Sequence, residues 1–302
     1  MKRNVYFYYT LKRAMLFCWD KSITKAAKLV VKDTDLLAMW HANRAKKKLS
    51  KKYKKELHSE LKNKNIDMDF PKIIWWSWLQ GEEKAPELVK VCLQSIRQNI
   101  TEDYEIKIIT RDNLNEYIQL PQIILDKFDL GWIKGAHFAD IIRLNLLSKY
   151  GGVWIDSTVF CTDGDFLKKI EACDMFMYRN LLSRDSKLIK MSNWLLSSKK
   201  NNPYMKEVAS LITRYFEDAV YLDDYFICHI IMSLVAERYK KLWDDMPVYN
   251  NVDPHMLQIV FEHKFSEEQY KEIIKRSAFH KLNRHIDYSS SEYYQYIKNT
   301  QC

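Results

Sequence analysis

From residue 70 onward, short apolar runs alternate with stretches in which apolar residues recur every three or four positions. That is the pattern of strands alternating with helices. Ile73-Ile74-Trp75-Trp76, bounded by Pro71 and Gly81, predicts a strand over 72–77. Leu88, Val91, Cys92, Ser95 and Ile96 share one helical face, which predicts a helix over 86–99 with Pro86 in its first turn. Residues 104–110 alternate and predict a second strand. Strand, helix, strand forms a βαβ unit, and such units build parallel sheets. Shorter helices are expected near 113–118 and from Pro121. Residues 133–150 give the strongest helical pattern in the chain, stopped by Gly151-Gly152, and 153–155 read as a buried strand. Further strands are expected at 174–178, 192–197 and near 278–282, and amphipathic helices at 203–217 and 224–242. The fold class is α/β, a mixed, mainly parallel sheet flanked by helices.

Before residue 64 the pattern is helical throughout, with Ala26, Leu29, Val30, Leu36, Leu37 and Trp40 at mixed three-to-four spacing. Lys46–Lys48, Lys51, Lys52, Lys54 and Lys55 follow, a run that reads as a solvated helix face. Residues 64–69 read as a linker. The chain therefore divides into a basic helical extension, 1–69, and a body, 70–302.

Charge sharpens that division. The 302 residues carry a net +9. Residues 1–64 hold 18 Lys+Arg against 5 Asp+Glu, hence +13, and residues 65–302 hold 30 against 34, hence −4. A basic arm on a nearly neutral body suggests a polyanionic partner, a membrane surface or a nucleic acid. No apolar run reaches the ~18 residues of a spanning helix. Lys12 and Arg13 interrupt the first apolar stretch, and no small-residue cleavage site follows. Six Gly and six Pro exclude collagen-like architecture. The six Cys lack zinc spacing and read as reduced core thiols of a cytosolic protein.

Two segments carry candidate chemistry. In Ala136–Arg143, Asp140 and Arg143 lie three apart on a mostly apolar helix, so a charged pair there needs partners or a ligand. In Tyr150–Thr158 the helix stops, an apolar strand runs, and Asp156 appears at its end. Ligands bind beyond the carboxyl ends of strands in open α/β sheets. Asp156 could hold a divalent cation that grips a diphosphate, or could cap the next turn.

Pro71–Trp78, Ala139–Arg143 and Tyr150–Asp156, in that order, resemble the capsular polysaccharide synthesis proteins, sugar transferases similar to glycosyltransferase family 32 with its DxD motif. Leu222–Phe226 and His280–Leu282 continue the resemblance more weakly. It implies a GT-A-like nucleotide-sugar-binding fold, a nucleotide-sugar donor (a UDP-sugar foremost), retention at the anomeric carbon and a Mn or Mg ion. Trp78 would stack on the donor base, Asp140 and Arg143 would contact its sugar and ribose, and Asp156 would be the first acid of the metal motif. The second acid should fall at 158, where this chain has Thr158. Asp163, Asp165 and His280 are the replacement candidates, with Asp163 and Asp165 also suited to a turn around Gly164 and His280 to packing. Asp223 suits a helix N-cap and Asp224 the helix dipole, or one of them, Asp224 foremost as a catalytic candidate, faces the acceptor hydroxyl or the transferred sugar.

The expected function is transfer of a sugar to a bacterial surface polysaccharide of capsule or O-antigen type. The enzyme would lie on the inner face of the cell membrane, its residues 1–64 against the anionic leaflet beside a lipid-linked oligosaccharide acceptor. A sugar-phosphate transferase and a non-enzymatic polyanion-binding protein are the alternatives. No nucleic-acid-reading motif is present, so no nucleic acid is expected.

Overall fold

The computed structural model describes residues 2–30, 32–57, 66–181 and 187–300. The first part of the linker expected over 64–69 lies outside them. In chain order the elements are α1 (Lys2–Val30), α2 (Thr34–Lys52), α3 (Lys54–Leu57), β1 (Ile73–Ser77), α4 (Glu87–Asn99), β2 (Glu105–Ile109), α5 (Leu114–Tyr117), α6 (Gln122–Asp129), α7 (Gly135–Tyr150), β3 (Gly152–Ile155) and β4 (Val159–Cys161). There follow α8 (Phe166–Glu171), β5 (Met175–Arg179), β6 (Met191–Ser198), α9 (Pro203–Asp218), α10 (Ile227–Arg238), α11 (Lys240–Asp245), α12 (Met256–Val260), α13 (Glu267–Arg276), β7 (Phe279–Lys281) and α14 (Glu292–Asn299).

Five strands form one sheet in the order β2-β1-β3-β6-β5. β1 pairs in parallel with β2 and β3, as the βαβ pattern requires. β6 runs antiparallel to both β3 and β5, which makes the sheet mixed. Every residue of β3 and β6 is buried, so their apolar runs fill the middle of the molecule. α7 and α9 pack against one another beside the sheet. A separate antiparallel ribbon joins β4 to β7, with Val159 opposite Lys281.

The turn from α7 into β3 sets where β3 ends. Gly151 and Gly152 have φ of +71° and +91°, a region open to glycine and strained for other residues. A Cβ on Gly152 would lie 2.6 Å from the Ile73 carbonyl oxygen. The Trp75 indole N–H donates to the Gly151 carbonyl at 2.8 Å and holds the turn against β1.

Three expectations change. The helix expected from Asp224 begins at Ile227, and Asp223 does not cap it. Asp223 instead accepts hydrogen bonds from Tyr215 Oη and Lys48 Nζ. The helix also divides at Tyr239 into α10 and α11. The Lys46–Lys55 run is a solvated face only in part: Lys47, Lys51, Lys54 and Lys55 are exposed, and the other three lysines meet acids of the body. Lys46 pairs with Glu237, Lys48 with Asp223 and Lys52 with Asp218. Between these lysines, Ala42, Ala45 and Leu49 enter the same apolar core as α7, α9 and α10. Acids of the body therefore neutralise part of the N-terminal excess of positive charge.

Candidate active site at the carboxyl edge of the sheet

Asp156 follows β3 directly. Its carbonyl accepts the Val159 N–H at 3.0 Å and closes the turn into β4. The backbone thus makes the turn, and the carboxylate is left for other partners. Its Oδ1 accepts the Trp154 indole N–H at 2.9 Å and lies 3.2 Å from Arg143 Nη1. Its Oδ2 lies 4.0 Å from Lys281 Nζ. The side chain is 21% exposed, so one flank is open to solvent.

Behind it stands the helical couple. Asp140 and Arg143 project from α7 and are 3.3 Å apart. They are 6% and 4% exposed, so partners are obligatory. The Asn193 side-chain amide donates to Asp140 at 2.8 Å, and Arg143 donates to the Asn193 carbonyl. The Arg143 guanidinium also lies over the Trp154 ring, 5.1 Å from its centroid. The structure thus joins Asp140, Arg143 and Asp156 in one chain of charges, as the sequence suggested.

Burial pushes the Asp140 carboxyl up, but Arg143 and His137 outweigh it and hold it below the usual range. Burial likewise pulls Arg143 down, and Asp156 and Asp140 together raise it above its ordinary value. Both groups are charged at neutral pH. His229, close to Asp140, is pushed down to about 4 by burial. His280, wholly enclosed, falls to about 3 for the same reason.

These two histidines set an acid limit on stability. Their folded pKa lies below the unfolded value of about 6.5, so the unfolded chain binds more protons in between. Their contribution is complete above about pH 6.5 and is lost as pH falls toward 4. Urea midpoints measured from pH 7 to 4 should fall. Each histidine should contribute up to about 1.4 kcal/mol per pH unit. His229→Asn should flatten the slope, and an unchanged slope would contradict the assignment.

The remaining candidates separate. Trp78 follows β1, so it occupies the same edge of the sheet as Asp156. It is half-buried, its indole N–H lacks an acceptor, and the exposed Arg284 lies 5.6 Å above the ring. His280 does not reach Asp156. Its ring meets Thr162 Oγ1 at 3.1 Å inside the core. The neighbouring Lys281, on the opposite face of β7, points at Asp156 instead. Asp163 accepts the Asp165 N–H at 2.9 Å and Asp165 pairs with Lys168, so both serve the loop around Gly164. No group of three His, Cys, Asp or Glu side chains among the described residues is arranged to hold a metal ion.

Asp224 lies in a groove of about 1170 Å³ between α2 and the 221–226 loop, lined also by His41, Leu222, Asp223, Tyr225 and Phe226. Asp140, Arg143 and Asp156 do not line it. Tyr225 bridges the two regions, its ring 5.4 Å from that of His137, which in turn lies 3.7 Å from Asp140. Burial raises the Asp224 carboxyl above the usual range, with its Oδ1 accepting the Phe226 N–H at 2.7 Å.

Sequence reasoning missed Asn193, His229, Lys281 and Arg284. Lys281 had a usable signal. In a strand over 278–282, residues 280 and 281 face opposite sides, so His280 and Lys281 could not both meet Asp156.

An acid at the carboxyl end of the central strand, backed by a buried Arg/Asp couple in a mixed sheet, defines an α/β protein with its charged cluster at the edge where open α/β sheets bind ligands. The chain belongs to the family described as capsular polysaccharide synthesis protein, whose family model matches residues 31–300. A curated relative, the O-glycosyltransferase braB of Annulohypoxylon truncatum, is 21% identical over 243 residues, 74% of this chain and 54% of the relative. The chain thus spans about half the length of that relative. Among solved structures, the PaToxG glycosyltransferase aligns over 78% of this chain and 95% of its own at 14% identity and a TM-score of 0.42. A transferase mutant in which two cysteines are replaced by serine aligns over 62% of this chain and 89% of its own at 14% identity and a TM-score of 0.30.

Proposed function

We propose that the protein is a glycosyltransferase that moves a sugar from a nucleotide-sugar donor to a growing bacterial surface polysaccharide of capsule or O-antigen type. The observation that carries this reading is the Asp140–Arg143–Asp156 constellation at the end of β3, with Trp78 and Lys281 beside it. The mixed sheet suits a GT-A-like arrangement. The Trp78 indole, with an N–H that no protein group accepts, suits a nucleobase. Asp156 is the open carboxylate and meets the donor, while the buried Asp140 and Arg143 orient it. Retention at the anomeric carbon is the expected outcome, read by NMR of the product. The test is release of nucleoside diphosphate by the full chain from a panel of UDP-, GDP- and CDP-sugars. Release from at least one supports the reading, and silence across the panel with any acceptor contradicts it.

The groove at Asp224 is the acceptor side of this reading. It adjoins the donor edge through Tyr225 and His137, and it is large enough for sugar residues. Asp224 there hydrogen-bonds an acceptor hydroxyl. Asp224→Asn should raise the acceptor KM about 10- to 100-fold, the loss of one charge-assisted hydrogen bond. Donor hydrolysis without acceptor should stay near wild type. Equal losses in both assays would remove Asp224 from acceptor binding.

The membrane contact belongs to α1. Leu11, Met15 and Trp19 lie four residues apart on one exposed face of α1, with Trp19 65% exposed. Exposed Lys21, Lys25 and Lys28 continue the helix. Of the α2 lysines, Lys46, Lys48 and Lys52 are engaged by body acids and contribute less. Such a helix lies in the plane of an anionic bilayer. No described helix is long and apolar enough to cross one. Replacing Leu11, Met15 and Trp19 with Ser should lower binding to phosphatidylglycerol vesicles at least 10-fold, since each buried apolar side chain contributes about 1 kcal/mol or more. Turnover of soluble donor should be unchanged. Full vesicle binding by the triple variant would place the contact elsewhere.

A further inference from the structure

We infer that the Lys281 ammonium stands where the family's motif would place a divalent cation, and that it holds the donor's diphosphate so that transfer runs without a metal ion. This rests on the reading that the carboxyl edge of the sheet binds a nucleotide-sugar.

The placement is built by pairing between distant parts of the chain. β7 joins β4 with Lys281 opposite Val159, and the Leu282 N–H donates to the Thr158 carbonyl at 2.9 Å. These bonds carry Lys281 onto the loop that follows Asp156. Its Nζ donates to Thr158 Oγ1, donates to the Leu282 carbonyl at 3.2 Å, and lies 4.0 Å from Asp156 Oδ2. An ammonium has three N–H donors. Two are used, and the third is available to a phosphate oxygen on the open flank of Asp156.

The donor set does not fit a divalent ion. Hard cations take six or more oxygen ligands, and even Mg²⁺, which keeps waters and uses substrate phosphates, needs a carboxylate oxygen free to coordinate it. Here the motif offers one carboxylate. Its Oδ1 is committed to Trp154 and Arg143, its Oδ2 faces Lys281, and the hydroxyl at 158 accepts from that same lysine. The replacements considered for a second acid are elsewhere: His280 faces Thr162, and Asp163 and Asp165 close their own turn. Thr158 in place of an acid and a lysine bridging 156 and 158 are two halves of one change. A neutral hydroxyl accepts from the ammonium, and the ammonium supplies charge that an ion would have brought. Arg284, over Trp78, adds a second positive group on the same side.

The chemistry balances without a metal. The bond from the anomeric carbon to the diphosphate oxygen breaks, and its electron pair leaves with the diphosphate. The acceptor hydroxyl oxygen forms the new bond to that carbon, and its proton passes to the released diphosphate. Lys281 hydrogen-bonds the phosphate oxygens on which negative charge accumulates. Asp156 holds the lysine in place and balances its charge before the donor arrives.

The experiment compares wild type, Lys281→Ala and Lys281→Arg as full chains. It measures calorimetric affinity for UDP, GDP, CDP and the matching nucleosides in EDTA, and donor turnover in EDTA or manganese. Wild type should turn over in EDTA, with manganese changing the rate less than threefold. Lys281→Ala should keep its nucleoside affinity, bind the preferred diphosphate at least 10-fold more weakly, and lose at least 100-fold in turnover. Lys281→Arg should recover part of both, which a folding defect would not allow. Turnover abolished by EDTA and restored by manganese overturns the inference and leaves the transferase reading standing. So does a Lys281→Ala chain that binds diphosphate and reacts like wild type. Wild type that neither binds a diphosphate nor releases one in either buffer overturns both.

Discussion

Asp156→Asn is expected to abolish sugar transfer, lowering kcat by at least about 1000-fold, while the protein stays folded. The substitution keeps the volume and can still accept from Trp154 Nε1, and the turn into β4 survives because the backbone makes it. It removes the charge that faces Arg143 at 3.2 Å and Lys281 at 4.0 Å. Losing one preorganised electrostatic group of an active site costs on the order of 10²–10³ in rate. Here Lys281 also loses its anchor, so the larger figure is expected. The buried Arg143 loses one charged partner but keeps Asp140 at 3.3 Å, so stability should fall by about 1–3 kcal/mol and leave the protein folded. Nucleoside diphosphate release and thermal melting, measured on one preparation, check both halves. A variant that melts early and is inactive for that reason would make Asp156 a folding residue. A variant that turns over normally would remove it from the reaction.

Gly152→Ala should have the largest effect on stability. Gly152 starts β3 with φ of +91°, and an added Cβ would lie 2.6 Å from the Ile73 backbone oxygen. Strain in this region costs about 1–3 kcal/mol for a non-glycine residue, and the clash is with backbone that is itself paired in the sheet. A loss of about 3 kcal/mol or more follows, or roughly 6–12 °C in Tm for a chain of this size. Activity should fall further than stability explains, since β3 carries Asp156 at its other end. Gly135→Ala is the control. A Cβ there meets nothing within 4 Å and its φ is ordinary, so it should be neutral or slightly stabilising. Equal melting of the two variants would mean that the α7–β3 turn has room to give.

The centre of the fold is legible in the sequence because it is built from local signals. Ile73–Trp76, the amphipathic helix of α4 and the alternation before Thr110 foretell a parallel pair, and the structure contains it. The stop at Gly151-Gly152 and the strand leading to Asp156 are equally plain, since glycine, apolar run and acid follow one another directly. Asp140 and Arg143 can be placed on one face by their spacing alone, and the structure joins them to Asp156.

What cannot be read there depends on partners far away in the chain. β4 is three residues long, and it exists because β7, from the C-terminal part of the chain, pairs with it. That pairing delivers Lys281 to the site; strand alternation puts Lys281 on the face opposite His280, but no local pattern tells which of the two faces meets Asp156. The cap expected at Asp223 fails for a similar reason. Asp223 has the chemistry of an N-cap, but Tyr215 and Lys48 occupy its oxygens. Lys46, Lys48 and Lys52 read as solvated because Glu237, Asp223 and Asp218, which meet them, lie far along the chain.

The proposed donor site depends on one of those long-range contacts, so the most direct measurement locates the donor itself. Crystals of the full chain grown with the preferred nucleoside diphosphate in EDTA should carry the diphosphate between Asp156 and Lys281, with the base against Trp78. Diphosphate seated in the groove at Asp224, or away from the ends of β1 and β3 altogether, would contradict the account.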